Sequence, residues 1–192
     1  VPRRAVFLDR DGVLNRLILN PATGAFESPH RAGDLLLTPG AGAQLTRLRA
    51  AGYLLFLVSN QPSYAKGKAS LEALQAVHQA LEAGLAAQGA GFDAVYYCYH
   101  HPDAVVPELK GPCACRKPAP QSLLDAIRDH RLDPAACWMV GDQDSDMGAG
   151  RAAGVRTALV LTPESAAKRG ASDPDLRSAD LAGAVQAILL AS

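Results

Sequence analysis

Apolar residues in this chain gather in short runs, and between the runs they recur at helical spacing. Ala5-Val6-Phe7-Leu8, Tyr53 to Val58, Phe92 to Cys98, Ala135 to Val140 and Arg156 to Leu161 are bounded by polar residues, glycine or proline, and read as strands. Tyr53 to Val58 is near-continuously apolar, as a strand covered on both faces must be. A helix is expected from Thr38-Pro39-Gly40 to about Ala51, with Leu45 and Leu48 on its buried side and Gly52 as its stop. Further helices are expected from about Ser70 to Ala87, with Glu72 in the first turn, from Gln121 to His130, from about Asp146 to Ala153 before Gly154, and from about Ser178 to Leu190. Strands alternating with helices predict an α/β fold built on a doubly wound, mostly parallel sheet.

Leu14 to Leu37 has no period; Asn20-Pro21-Ala22-Thr23-Gly24 reads as a turn, and the segment with His30 and Arg31 as a solvated loop. Neither this stretch nor the one after Asn60 is long enough to form a separate cap domain. The expectation is a single domain over 1–192 whose pocket is shaped by loops.

Two strands end in acid. Ala5 to Leu8 runs into Asp9-Arg10-Asp11-Gly12, and Ala135 to Val140 runs into Gly141-Asp142-Gln143-Asp144-Ser145-Asp146. In extended backbone the side chains at i and i+2 point the same way, which predicts that Asp9 and Asp11 face one side together. Two close carboxylates repel, so either one is protonated or a cation sits between them. Asp9 to Gly12 alone also fits a solvated turn, but ligands in an open parallel sheet bind where strand carboxyl ends meet, and a second acid-tipped strand can share an ion there. A hard divalent cation with oxygen ligands, most simply Mg²⁺, suits such a site. Ser59-Asn60-Gln61, at the end of a third strand, offers polar ligand contacts.

The chain has 192 residues and zero net charge, without an acidic tail or a long run of like charge. That balance provides no basic footprint for nucleic acid. Val1-Pro2-Arg3-Arg4-Ala5 passes straight into a strand, and no apolar stretch is long enough to span a bilayer. These features predict a soluble, cytoplasmic monomer with no nucleic-acid or membrane partner.

Of the four cysteines, Cys137 lies within an apolar strand and reads as core. The other three belong to Cys98-Tyr99-His100-His101 and Cys113-Ala114-Cys115. In a reducing compartment they read as metal ligands rather than as a disulfide framework, the alternatives being a Cys113–Cys115 redox pair or plain surface thiols. Three Cys and one His form a closed tetrahedral zinc set with no open position, hence a structural ion, and the spacing leaves His100 and His101 equally eligible. Residues His101 to Pro112 are short of large apolar side chains, so the loop 98–115 would take its shape from the metal. Arg116-Lys117-Pro118 follows directly, and two cations fixed there suit phosphate: Lys117 as a point charge, Arg116 through its planar fork.

In order and spacing, Asp9-x-Asp11, Ser59-Asn60-Gln61, Arg116-Lys117-Pro118 and Gly141-Asp142-x-x-x-Asp146 resemble the four motifs of the haloacid dehalogenase superfamily. With the Cys/His loop before the third motif, the stretch from Ala5 to about Gly154 is similar to the D-glycero-D-manno-heptose 1,7-bisphosphate phosphatase group, which also contains histidinol-phosphate phosphatases. The resemblance implies an Mg²⁺-dependent phosphomonoesterase acting on a small phosphorylated sugar, with Asp9 as nucleophile and Asp11 as general acid and base. It implies Mg²⁺ held by Asp9, the Asp11 backbone carbonyl and Asp142, with Asp146 behind them. Ser59 and Lys117 would hold phosphoryl oxygens, Asn15, Asn60 and Arg116 would contact substrate, and Zn²⁺ would be bound by Cys98, His100, Cys113 and Cys115.

Three departures accompany the likeness. Pro62-Ser63 and Lys66 replace residues common in the group's substrate loop, Gln143 stands where well-known bacterial members have lysine, and the loop Asn20 to Asp34 differs from theirs. Two alternatives to heptose bisphosphate hydrolysis remain open at this level: hydrolysis of histidinol phosphate, and a non-catalytic zinc-stabilised sugar-phosphate-binding module.

Overall fold

The computed structural model describes residues 3–191. In chain order it contains β1 (Arg4–Leu8), β2 (Ile18–Leu19), β3 (Phe26–Glu27), α1 (Ala41–Ala50), β4 (Tyr53–Asn60), α2 (Leu71–Ala86) and β5 (Ala94–Cys98). These are followed by α3 (Gln121–His130), β6 (Trp138–Gly141), α4 (Asp144–Ala152), β7 (Arg156–Val160), β8 (Leu176–Ser178) and α5 (Leu181–Leu190). The main sheet has the order β5-β4-β1-β6-β7-β8, and all its pairings are parallel. Strands β2 and β3 form a small antiparallel hairpin around the turn expected at Asn20 to Gly24.

Alternation along β1 distributes its side chains between two cores. Val6 and Leu8, with Leu55, Leu57 and Val140, pack against Leu45 and Leu48 of α1, Leu81 and Leu85 of α2, and Ile188 of α5. Ala5 and Phe7, with Phe56, Val58 and Met139, pack against Leu123 and Ala126 of α3 and Ala149 of α4. Cys137 belongs to this second core and is fully buried, as its apolar surroundings predicted. Each fully buried Leu or Phe contributes roughly 1.5–3 kcal/mol, so two-sided burial holds β1 rigid beneath Asp9.

The sheet order places the functional ends. The chain moves outward from β1 through β4 to β5, then crosses to the other side of β1 to lay down β6, β7 and β8. The carboxyl ends of β4, β1 and β6 therefore flank the point where the winding reverses, which is where a ligand cleft opens in such sheets.

Several boundaries differ from expectation for local reasons. Strand β6 starts at Trp138 because Pro134 opens a one-turn 3₁₀ helix at Pro134–Ala136, and the Asp133 side chain accepts a hydrogen bond from the Ala135 N–H. Helix α4 starts two residues early, at Asp144, because Gln143 and Asp146 form a reciprocal cap. The edge strand β8 was not expected: three residues, two half-buried and Arg177 exposed, are too few to carry a periodic signal.

Candidate active site

The position of Asp9 is set by β1. The Asp9 N–H donates to the Val140 carbonyl at 2.9 Å, which continues the β1–β6 ladder one residue past the strand and leaves the Asp9 side chain at the reversal point. Asp142 and Asp146 arrive from the end of β6 and the first turn of α4. Oxygens of Asp9, Asp142 and Asp146 all lie within 4.8 Å of one another, and all three residues are buried.

Their arrangement is electrostatically incomplete. Both Asp142 oxygens are buried without a hydrogen-bond partner, and Asp142 is fully buried. Burial, then the neighbouring Asp9 and Asp146, pushes the Asp142 carboxyl up to about 8. Burial likewise pushes Asp146 up to about 6, although Lys117 pulls against it. Buried carboxylate oxygens without a partner, grouped with two further carboxylates, are the donor set a hard divalent cation requires, so these residues fit Mg²⁺. Asp146 also holds the local backbone: its Oδ2 accepts from the N–H groups of Asp142 at 3.2 Å and Gln143 at 3.0 Å.

Lys117 supplies the charge opposite. Its Nζ lies 3.0 Å from Asp9 Oδ1 and 2.6 Å from Asp146 Oδ1, and donates to the Val58 carbonyl at 2.7 Å. Burial works against the ammonium, but Asp146 and Asp9 outweigh it and hold its pKa above the ordinary lysine value. The residue is carried to this position by its backbone, which is joined at both N–H and carbonyl to the Asn60 side chain.

Asp9 and Asp11 both face the same cleft, as the i, i+2 spacing predicted, but the Asp11 carboxylate is not among the oxygens that cluster with Asp9. The chain leaves extended geometry after Leu8 and turns, with the Leu14 N–H on the Arg10 carbonyl at 2.8 Å, so the alternation rule no longer fixes which groups the carboxylate meets. The Asp11 carboxylate instead meets Arg10 at 3.1 Å through both oxygens, Asn15 Nδ2 at 3.0 Å and Gln61 Nε2 at 2.7 Å. Burial raises the cost of its charge, yet Arg10, Asn15 and Gln61 together hold the carboxyl below its ordinary range.

Asn15 is likewise placed differently from expectation. It is fully buried, outside the residues that line the cleft, and its amide supports Asp11. Arg10 and Gln61 were not singled out for this support. Arg10 is 1 % exposed and donates to Gln61 Oε1 at 2.8 Å, while Gln61 Nε2 also donates to Ser59 Oγ at 3.0 Å. Their sequence signal was adjacency to the motif residues, which does not reveal where a side chain turns. His30, read as part of a solvated loop, is half-buried with Nε2 2.9 Å from Ser63 Oγ.

Around these groups lies a cleft of about 410 Å³. Asp9, Asp11, Ser59, Asn60, Arg116 and Lys117 all line it, while Asp142 lies sealed beneath. Lys66, His101, Gln143 and Lys168 add to its wall.

A second donor cluster stands behind Arg116. Cys98, His100, Cys113 and Cys115 offer Sγ and imidazole nitrogen atoms that all fall within 4.8 Å, a span that encloses one tetrahedral ion. All four cysteines are free thiols. His101 turns the other way, toward the cleft, and its Nδ1 accepts from the Asp103 N–H at 3.0 Å. Arg116 donates to the His100 carbonyl at 3.0 Å, which couples the donor cluster to the cleft wall.

Residues 114–185 match a HAD-hydrolase-like family model. A relative from Yersinia pestis named D-glycero-beta-D-manno-heptose-1,7-bisphosphate 7-phosphatase is 35% identical over 187 residues, covering 95% of each chain. A Thermosynechococcus vestitus relative named D-glycero-D-manno-heptose-1,7-bisphosphate 7-phosphatase is 40% identical over 195 residues, covering 97% of this chain and 95% of its own. The solved structure of D,D-heptose 1,7-bisphosphate phosphatase from B. bronchiseptica complexed with magnesium and phosphate superposes with a TM-score of 0.81 at 28% identity, covering 99% of both chains. With that agreement in sequence, fold and cleft, the chain belongs to the D-glycero-D-manno-heptose-1,7-bisphosphate 7-phosphatase family of HAD-like phosphatases.

Proposed function

We propose that this protein removes the 7-phosphate of D-glycero-D-manno-heptose 1,7-bisphosphate through an aspartyl-phosphate intermediate on Asp9. The observation that carries the reading is the buried triad Asp9, Asp142 and Asp146, with both Asp142 oxygens unpartnered and Lys117 beside it. Mg²⁺ would be held by Asp9, Asp142 and the Asp11 carbonyl, and would supply positive charge to offset that of the nucleophile and the phosphoryl group. Asp146 anchors Lys117 and the start of α4, and its carboxylate belongs to the same oxygen cluster as Asp9 and Asp142.

In the first step an Asp9 oxygen forms a bond to phosphorus, the bond from phosphorus to the sugar oxygen breaks, and Asp11 gives its proton to that oxygen. In the second, water attacks the phosphorus of the aspartyl phosphate, Asp11 takes the water's proton, and the bond to Asp9 breaks. Lys117 and Ser59 hold the phosphoryl oxygens throughout, while Asn60 and Arg116 place the phosphate and sugar. Paired with Arg10, Asp11 rests as a carboxylate, the form needed for the second step; the proton it gives in the first step is one it takes from the monoanionic phosphate of the entering substrate, and Asn15 and Gln61 aim it.

Zn²⁺ would be held by Cys98, His100, Cys113 and Cys115; that donor set is closed, so the ion would stiffen the loop that carries Arg116 and Lys117 and take no catalytic part.

Phosphate release by purified protein in Mg²⁺ tests this reading, with both anomers of the bisphosphate and histidinol phosphate as substrates. The expected result is a higher kcat/KM on the bisphosphate and loss of turnover in Asp9→Asn. A preference for histidinol phosphate, turnover by Asp9→Asn at the parent rate, or sugar-phosphate binding without turnover overturns it.

A further inference from the structure

The cleft has more positive charge than one phosphate uses. Lys117 lies on Asp9 and Asp146 at the floor, where the reacting phosphate binds. Lys66, Arg116 and Lys168 also line the cleft, and none of them forms an ion pair with a carboxylate among the described residues. The three share one cleft wall, and after burial the charges of Lys68, Arg116 and Lys168 hold Lys66 below the ordinary lysine range, with Asp103 pulling the other way. Like charges kept together at a cleft wall are stable when an anion arrives between them.

Lys168 is delivered by a strap with its own fastenings. It closes the 3₁₀ segment Pro163–Lys168 between β7 and β8. At the start of the strap, Thr162 Oγ1 donates to the Gly12 carbonyl at 2.6 Å. In the middle, Ser165 Oγ donates to the Asp142 carbonyl at 3.3 Å, and Arg169 donates to Thr162 and Ser165 at 2.6 and 2.9 Å. At the end, the Asp144 carboxylate accepts from the N–H groups of Ala171 at 2.8 Å and Ser172 at 3.1 Å. The strap is therefore tied to both acid-bearing loops, which fixes an exposed lysine at the mouth of the cleft.

We propose that Lys168, together with Lys66, binds the phosphate that is not hydrolysed and so selects a substrate carrying two phosphates. This rests on the reading of the protein as a sugar-bisphosphate phosphatase. The reacting phosphate occupies Asp9, Ser59 and Lys117, and the second dianion of the same molecule meets the wall cations. A lysine–phosphate contact is a charge-assisted hydrogen bond, and losing one costs about 10- to 100-fold in affinity.

The test compares wild type with Lys168→Met and Lys168→Arg on two substrates: heptose 1,7-bisphosphate, and the same heptose carrying only the 7-phosphate. Lys168→Met should lose about tenfold or more in kcat/KM on the bisphosphate, mostly in KM, and little on the monophosphate; Lys168→Arg should keep most of the preference. Inhibition by heptose 1-phosphate should weaken in parallel in Lys168→Met. If wild type hydrolyses the bisphosphate and Lys168→Met is unchanged, or if both substrates suffer equally, the subsite is wrong while the function stands. If wild type does not hydrolyse the bisphosphate, the function reading itself is wrong, and the subsite falls with it.

Discussion

Asn60 and Lys117 hold each other in both directions: Asn60 Nδ2 donates to the Lys117 carbonyl at 3.0 Å, and the Lys117 N–H donates to Asn60 Oδ1 at 3.0 Å. Through this clasp the end of β4 fixes the backbone of a residue from the loop before α3. Asn60→Ala removes both bonds and should lower stability by about 1–3 kcal/mol in urea unfolding. Because Lys117 then loses its register on Asp9, kcat should fall at least tenfold.

The Lys117 ammonium is the neutralising charge for Asp9 and Asp146 within hydrogen-bond distance. Lys117→Ala leaves two buried carboxylates without their cation, and in metal-free buffer this should cost about 3–5 kcal/mol. Turnover should be abolished. Added Mg²⁺ should recover part of the stability and none of the activity, which thermal unfolding with and without Mg²⁺ will separate from a simple folding defect.

A carboxyl raised in the folded state binds a proton that the unfolded chain has already released. Asp142 at about 8 and Asp146 at about 6 therefore make the metal-free protein lose stability as pH climbs from the unfolded value near 4 toward 8. In EDTA, Tm should drop between pH 6 and pH 8. In Mg²⁺ the same interval should be flat or reversed, because ion binding requires the ionised acids.

Cys115 Sγ lies 2.7 Å from both Cys98 Sγ and Cys113 Sγ, at the centre of the donor cluster. Cys115→Ser should reduce bound zinc from close to one ion per chain to a small fraction, measured by elemental analysis of protein prepared without chelators. Limited proteolysis should then cut within 99–115, and KM should rise as Arg116 loses its support. Wild-type protein without zinc contradicts the assignment.

Gly12 adopts φ +85°, and a Cβ there would stand 2.2 Å from Asp142 Oδ2. Gly12→Ala therefore combines backbone strain of about 1–3 kcal/mol with displacement of the buried carboxylate. Mg²⁺ affinity measured by calorimetry should fall at least tenfold, while far-UV circular dichroism stays native.

The α/β architecture, the two acid-tipped strands and the Cys/His loop were legible along the chain because each is a short-range pattern. Four fully buried residues of β1 announce a central strand, and Cys98, His100, Cys113 and Cys115 announce a donor set whatever the path between them. The short edge strand β8 and the early start of α4 were not legible, since they depend on a sheet neighbour and on a cap made by two polar side chains.

By itself, the sequence determined which residues are chemically competent: the aspartates, Lys117, Arg116 and the thiols. Which of them act together was decided only by tertiary structure. Asp146 joined Asp9 and Asp142, Asp11 turned to Arg10, Asn15 and Gln61, and Lys168 came back to the cleft from beyond β7. The physical reason is that side-chain direction follows residue spacing only while the backbone stays regular. At strand ends the chain turns, and sheet order together with buried hydrogen bonds between distant segments determines where each charge comes to rest.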